Sequence, residues 1–263
     1  MKKLKFLGLV AAVAGMFLLT SCLKGNNERS NTGFGLVDTG GNTMRRLVYS
    51  NYEAPMYIAS VANDYTIGDG DCIIFNYKLD FDAADNANAT TNGFYVATGS
   101  ALQVLPKGNL STGTPDTAYM YSNEILLSDA GVTDFLQSNQ YRQRLIVGGA
   151  PSSYLTEQKN SYTLSCDLSQ TPQTIQGVER VYTLFLRATK TSDGKAPAIK
   201  SADYTAFDAV QFYSTLSERE KNAGKDRISF CVKYASAFNS DTTKIGTWTT
   251  TTPVYIPIYS TEK

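Results

Sequence analysis

Residues 72–82 read CIIFNYKLDFD, and this stretch decides the fold class. Apolar and polar side chains alternate along it, which is the period of a β-strand with one dry face. The same alternation appears in RISFCVKYA (227–235) and in PVYIPIYS (253–260). The sequence therefore predicts an all-β protein with little helix.

Turn signals lie between these strand-like runs. Asn92-Gly93 and Asp193-Gly194 are dipeptides that tolerate the backbone angles of tight hairpins. We therefore expect an antiparallel β-sandwich, either alone or preceded by a small β-barrel-like domain. Helix is expected only at about Ser128–Gln143 and, as a short exposed turn, at Ser217–Asn222.

A Pro/Gly/Ser/Thr-rich stretch, PKGNLSTGTPD at residues 106–116, has the composition of a linker. A division there gives a small β domain over residues 44–107 and a β-sandwich domain over residues 118–263. An Ω-loop inside one domain would have the same composition, so both organisations stay open.

The N-terminus has the pattern of a secretory signal peptide. An apolar run from Phe6 to Leu19 follows three lysines, and it is shorter than the roughly 20 residues of a spanning helix. Residues 19–22, LTSC, resemble the lipobox of bacterial lipoproteins. That resemblance implies removal of residues 1–21 and lipidation of Cys22, with palmitate among the acyl chains. The alternative is an ordinary signal peptide with a chance cysteine.

The segment after the cysteine predicts how the protein is displayed. Residues 22–43 are rich in Gly, Asn, Ser and Thr and lack hydrophobic periodicity, which favours a flexible tether. Leu23 occupies the position where an aspartate would retain a Gram-negative lipoprotein at the inner membrane. We therefore expect a lipid anchor in the outer membrane, with the protein on either its periplasmic or its cell-surface side.

The lipobox, the polar segment and a tyrosine-rich β body of this length together resemble the outer-membrane and surface lipoproteins of Bacteroidota, including the NigD-like group. The resemblance implies a small barrel joined to a β-sandwich. It also implies an accessory or ligand-binding role beside nutrient importers of the SusC and SusD type, with a glycan or a peptide as the ligand.

Composition excludes several classes of function. The 263 residues include no histidine, which excludes Ser-His-Asp and Cys-His catalysis and the commonest zinc sites. Removal of residues 1–21 also removes three lysines and no acid, which leaves a net charge of −3. Nucleic-acid binding is therefore not expected. Cys72, Cys166 and Cys231 are expected to be buried free thiols, with one disulfide among them as the alternative. No cofactor is predicted.

Two groups of acids are candidates for chemistry. Asp69 and Asp71 lie on a glycine-rich turn, and Asp80 and Asp82 lie where the strand-like run ends. Glycoside hydrolysis needs two carboxylates roughly 5 to 10 Å apart, so a glycan hydrolase is one alternative function. The run DFDAADNANATT (80–91) lacks the glycine and the closing glutamate of a calcium loop. We therefore predict no metal site. The sequence has no nucleophile elbow, Walker loop or dinucleotide fingerprint, so we also predict that the protein is not an enzyme.

The chain has seventeen tyrosines and one tryptophan. Most tyrosines are expected in strands, but Tyr119 and Tyr121 follow the Pro/Gly-rich stretch and are candidates for an exposed ligand-binding or partner-binding patch. Asp116-Thr117-Ala118 and Asp241-Thr242-Thr243 resemble the short O-glycosylation motif of Bacteroidota proteins. Thr117 and Thr242 are therefore candidate glycosylation sites.

The leading function is a non-catalytic accessory lipoprotein. Besides the hydrolase, the remaining alternative is a structural subunit of a surface fibre, in which VYIPIYS (254–260) is donated to a neighbour's sheet edge. Pro253 and Pro257 favour an edge position for that strand, because proline offers no N–H to a ladder.

Overall fold

The computed structural model describes residues 27–42, 44–139 and 141–258. The predicted signal peptide and Cys22 lie outside the described residues, so both stay predictions. The chain divides into two compact units. The first unit consists of the chain up to Leu105 together with the short piece Leu136–Ser138. The second unit consists of Pro106–Phe135 and the chain from Asn139 onward. In the described part of the chain, no helix has the length and apolar character that a membrane crossing requires.

The first unit is a closed five-stranded barrel. Its strands follow the order β1-β2-β3-β5-β4 around the barrel. The elements are β1 (Glu28–Gly40), β2 (Arg45–Tyr49), β3 (Met56–Ile58), α1 (Ala59–Ala62), β4 (Cys72–Asp80), a 3₁₀ turn (Ala84–Asn86), α2 (Ala89–Asn92) and β5 (Tyr95–Val104). The predicted all-β class with a small barrel in the first part of the chain is confirmed.

Strand β4 shows how the alternating sequence builds this barrel. Phe75, Tyr77 and Leu79 are buried, whereas Lys78 between them is exposed. Burying a large apolar side chain contributes about 1.5–3 kcal/mol. Because a slip of one residue would move this whole set to the other face, the dry face also fixes the register of β4 against β1 and β5.

Strand β1 corrects the prediction of a tether over residues 22–43. Glu28–Gly40 is a barrel strand that pairs with both β2 and β4. Its glycines suggested coil, but one of them has a packing role. A Cβ at Gly35 would lie 2.4 Å from Val48 Cγ1 and 2.9 Å from the Phe75 ring. Glycine in a strand often marks such a close approach, so the composition that suggested a tether is required by the barrel.

The second unit is built on an eleven-stranded sheet. Its main path is β17-β16-β13-β11-β6-β15-β9-β8; β7 and β12 pair with β13, β18 pairs with β16, and β10 with β14 form a separate two-stranded sheet. The strands are β6 (Lys107–Ser111), β7 (Glu124–Ile125), β8 (Leu127–Asn139), β9 (Arg142–Pro151), β10 (Leu155–Thr156), β11 (Lys159–Ser165), β12 (Gln173–Ile175), β13 (Val178–Ser192), β14 (Lys195–Ala198), β15 (Asp203–Asp208), β16 (Arg227–Phe238), β17 (Ile245–Thr250) and β18 (Val254–Pro257), and the helix is α3 (Val210–Asn222).

The large sheet is mixed rather than purely antiparallel. β13 pairs parallel with β16, and β6 pairs parallel with β11 and β15. Parallel neighbours need a crossover connection instead of a hairpin, and α3 belongs to the connection between β13 and β16. This helix is longer than the turn predicted at Ser217–Asn222, because Phe212, Tyr213 and Leu216 of its first turns are buried in the core of the unit.

One further sequence prediction in this unit is wrong. The expected helix at Ser128–Gln143 is β8 and the beginning of β9, because pairing of these two strands outweighs a weak helical pattern. The stretch at residues 106–116 begins where the first unit ends, at Leu105. It also contains β6, which lies between β11 and β15 in the sheet, so this part of it is not a linker. The terminal strand β18 pairs with β16 of its own chain, so residues 254–257 already have a partner.

Two carboxylates of the second unit accept hydrogen bonds from tyrosine hydroxyls. Glu220 of α3 accepts 2.8 and 2.7 Å bonds from Arg180 and a 2.5 Å bond from Tyr182. Burial opposes ionisation of Glu220, but these bonds outweigh it and lower the pKa of the carboxyl. Asp203 accepts a 2.9 Å bond from the Tyr162 hydroxyl. These contacts tie α3 to β13 and β11 to β15.

Cys72, Cys166 and Cys231 are free and buried. The expectation of free thiols is confirmed, and none of the three forms the alternative disulfide. Burial raises the pKa of the Cys166 thiol to about 12, so this thiol is protonated and unreactive at neutral pH.

Candidate functional site

Tyr119 and Tyr121 form an exposed aromatic pair on the segment between β6 and β7, which we call the tyrosine platform. Tyr119 is 61% exposed and Tyr121 is 40% exposed. Their ring centroids lie 5.9 Å apart in an edge-to-face arrangement. Large flat side chains held at a surface are suited to stacking on a ligand or partner, since each offers an apolar face and a polar tip.

A buried arginine lies beneath the platform. Arg187 of β13 is 5% exposed, and its guanidinium carbon lies 4.0 Å from the centroid of the Tyr121 ring. Nη1 donates to the carbonyl of Asp116 at 3.0 Å, and Nη2 donates to the carbonyl of Tyr119 at 2.5 Å. One side chain therefore holds the backbone of the segment at two points and contacts one of its two rings.

Glu124 of β7 supplies the countercharge. Arg187 Nε donates to Glu124 Oε1 at 2.7 Å, and Nη2 donates to Oε2, so the pair is bidentate. The Glu124 side chain is fully buried. β7 pairs with β13 so that Glu124 lies opposite Thr189, which brings the carboxylate beside Arg187. Burial opposes the charge of Arg187, but the bond and charge of Glu124 outweigh it and raise the pKa of the guanidinium.

The platform segment is also bonded to itself. The N–H groups of Ala118 and Tyr119 both donate to Asp116 Oδ1 at 3.1 Å, and these bonds lower the pKa of Asp116. The N–H of Tyr121 donates to Glu124 Oε2 at 3.0 Å. The tyrosine platform is thus held in place before any ligand arrives, which reduces the entropy lost on binding.

Sequence reasoning identified the two tyrosines but missed Arg187 and Glu124. The signal for Arg187 was available, because in VERVYTLFLRAT this arginine directly follows the run VYTLFL inside a strand-like stretch. A charge at such a position is buried only with a partner. The partner, however, is 63 residues away in the chain, and the sequence offers no pattern that pairs the two.

The candidate glycosylation sites lie at turns. Thr117 is partly exposed and lies two positions before Tyr119 in the chain, and Thr242 is exposed with a φ of +55°. Asp241 Oδ1 accepts a 2.5 Å bond from the hydroxyl of Thr243, not of Thr242. The exposure of both threonines suits modification, and their glycosylation stays a prediction.

The four carboxylates of the hydrolase alternative do not converge. Asp71 and Asp80 lie at opposite ends of β4, and nine residues of strand span about 30 Å. Asp69 accepts a bond from Thr39, and Asp80 accepts one from the backbone of Asp82. Over residues 27–42, 44–139 and 141–258, no group of three His, Cys, Asp or Glu side chains is placed to hold a metal ion.

Comparison with known proteins relates the chain to lipoproteins of Bacteroidales. Residues 25–103 match the family described as lipoprotein OB domain. No curated protein matches the chain significantly. An uncharacterized protein from Parabacteroides merdae, whose crystal structure is known, is 44% identical in sequence to this chain. The two structures superpose with a TM-score of 0.82, and the match covers 87% of this chain and 99% of the other.

Two further structures are more distant. A putative lipoprotein from Bacteroides fragilis has 9% identity and a TM-score of 0.50, covering 89% of this chain and 100% of that one, which is a likeness of fold alone. A NigD-like immunity protein from Bacteroides caccae has 10% identity and a TM-score of 0.38, covering 87% of this chain and 94% of that one. A TM-score of 0.38 is too low to support an argument, so the resemblance to the NigD-like group stays an expectation. By its identity and coverage, the chain belongs to the same family as the Parabacteroides merdae protein, and its first unit matches the lipoprotein OB domain.

Proposed function

We propose that this lipoprotein is a non-catalytic binding protein that captures a glycan or a peptide on the tyrosine platform. The observation that carries the proposal is the bidentate Arg187–Glu124 pair buried beneath two exposed rings. A buried ion pair is costly to desolvate and contributes little net stability compared with apolar packing. Its presence under an exposed aromatic segment is therefore best accounted for by the need to fix that segment.

The lipid anchor completes the proposal. Each buried methylene of an acyl chain contributes about 0.8 kcal/mol to membrane attachment, so several chains on Cys22 keep the protein at the outer membrane. A tethered capture protein there raises the local concentration of a ligand beside an importer. We propose an importer of the SusC and SusD type as the partner.

Binding to glycan and peptide arrays, followed by calorimetry of the strongest ligand, tests the platform. The double variant Tyr119→Ala/Tyr121→Ala removes both rings, and we expect affinity to fall at least about fivefold, since an aromatic contact contributes ~1 kcal/mol. Tyr141→Ala is the matched control, because Tyr141 is another exposed tyrosine of the second unit, 74% exposed. Equal affinities of the wild type and the double variant would rule out the platform as the binding surface.

The partner is tested separately in envelopes of the native host. We expect the chain to fractionate with the outer membrane and to co-purify with an importer from mild detergent. Loss of the fatty acid in a Cys22→Ala variant should release the protein from the membrane. A chain that purifies alone after crosslinking contradicts the importer but leaves the arrays as the test of binding.

Glycosylation of Thr117 and Thr242 would limit where a partner can dock. A glycan on Thr117 is bulky and would lie near Tyr119, so a protein partner would be kept away while a small ligand could still reach the rings. The intact mass of the protein from its native host should exceed polypeptide plus lipid by whole glycan units. Thr117→Ala with Thr242→Ala should remove that excess; a native mass without any excess contradicts the prediction.

A further inference from the structure

The barrel unit contains a concave surface, which we call the barrel depression. It has a volume of about 400 Å³ and is lined by Arg45, Tyr57, Asp85, Asn92, Phe94 and Val96. This volume lies in the range of small-molecule sites. Its walls combine one cation, one anion, an amide and apolar groups, so the depression has the composition of a specific site.

Arg45 of β2 supplies the positive charge. Its guanidinium carbon lies 4.9 Å from the Tyr57 ring centroid and 5.9 Å from that of Phe94. Among the described residues, its guanidinium takes part in no hydrogen bond or ion pair. Stacking against the rings orients the guanidinium while its N–H donors stay available.

Asp85 supplies the negative charge from the 3₁₀ turn Ala84–Asn86. This turn is fixed to β5, because the buried Asn86 side chain donates to the Val96 carbonyl at 3.0 Å and accepts from the Val96 N–H at 2.6 Å. In the described part of the chain, the Asp85 carboxylate accepts no hydrogen bond. It lies beyond 4.0 Å from the Arg45 nitrogens, since the two form no salt bridge there.

The floor of the depression is similarly fixed. Asn92 ends α2, and its carbonyl accepts a 3.1 Å bond from the Asn42 N–H. Tyr57 and Val96 lie opposite each other on β3 and β5. Both charges and the apolar wall are therefore carried by backbone that is held by hydrogen bonds.

Two opposite charges that share a depression without pairing are complementary to a ligand that carries both. Arg45 attracts an anionic group and Asp85 attracts a cationic group, so a ligand that carries both charges gains from both side chains. We propose that the barrel depression binds a free α-amino acid with an apolar side chain. Its carboxylate lies on Arg45, its ammonium group on Asp85, and its side chain against Tyr57 and Val96.

Calorimetry with L-leucine and L-phenylalanine tests this proposal through their capped derivatives. N-acetylation removes the ammonium charge, and conversion to the amide removes the carboxylate charge. We expect each capped form to bind at least about tenfold more weakly than the free amino acid. Equal affinity of free and capped forms, or no binding of either amino acid at about 10 mM, overturns the proposal.

Variants assign each charge. Arg45→Gln should abolish the preference for the free amino acid over its amide, and Asp85→Asn should abolish the preference over the N-acetyl form. Asp82→Asn, at another carboxylate of the same loop, is the matched control and should keep both preferences. Circular dichroism verifies the fold of each variant. If Asp82→Asn has the effect expected of Asp85→Asn, the assignment of the ammonium group to Asp85 is wrong. Tyr119→Ala should leave amino-acid binding unchanged, which distinguishes the barrel depression from the tyrosine platform.

Discussion

Replacement of Arg187 by methionine is the sharpest perturbation of the platform. The side chain keeps much of its length but loses four hydrogen bonds, two to Glu124 and one each to the carbonyls of Asp116 and Tyr119. Glu124 is left as a fully buried carboxylate without its countercharge. Removal of one partner from a buried pair costs about 3–5 kcal/mol, so we expect Arg187→Met to lower the free energy of unfolding by that amount.

Urea unfolding followed by tyrosine fluorescence and circular dichroism measures this loss. Arg227→Met is the control, because Arg227 and Asp226 form an exposed pair, and an exposed pair contributes little to stability. The double variant Arg187→Met/Glu124→Met removes both charges, and we expect it to be more stable than Arg187→Met alone. A loss below about 1 kcal/mol in Arg187→Met would refute the reasoning that the pair clamps the platform.

Three further predictions concern the stability of the two units. In the folded protein the pKa of Glu220 is lowered from its ordinary value of 4.5. The stabilisation that ionised Glu220 contributes is therefore complete above pH 4.5 and is lost as the pH falls through the lower pKa of the folded state. Glu220→Gln should therefore flatten the loss of stability that is measured in acid. Tyr162→Phe should cost about 1–3 kcal/mol in urea unfolding, because Asp203 loses a hydrogen-bond donor; an unchanged midpoint contradicts that role. Gly35→Ala should destabilise the barrel by about 1–3 kcal/mol in urea unfolding, since its Cβ would lie 2.4 Å from Val48 Cγ1. Gly131→Ala is the control and should be neutral in the same assay, because no atom lies within 4 Å of its Cβ.

The sequence predicts the parts of the fold in which local pattern and long-range packing agree. In β4, alternation alone identifies the buried face of Phe75, Tyr77 and Leu79. In β1 local pattern and long-range packing disagree. Gly35 by itself weakens a strand, but its neighbours across the barrel leave no room for a larger side chain. That requirement is a property of the folded structure and has no local signature.

The site divides in the same way. Tyr119 and Tyr121 are recognisable because aromatic residues follow a loop-like stretch, and the structure places both at the surface. The Arg187–Glu124 pair depends on the register between β7 and β13. A two-residue strand such as β7 is too short to show a period, so neither the strand nor its buried carboxylate could be predicted.

NMR titration of protein with ¹³C-labelled tyrosine rings measures directly whether a ligand binds at the tyrosine platform. The ligand is the strongest one from the glycan and peptide arrays, and single Tyr→Phe variants assign the signals. If the tyrosine platform binds the ligand, the ring signals of Tyr119 and Tyr121 shift together and saturate, while the signal of Tyr141 stays unchanged. Saturable binding that shifts other tyrosines and leaves Tyr119 and Tyr121 unmoved would contradict binding at the platform.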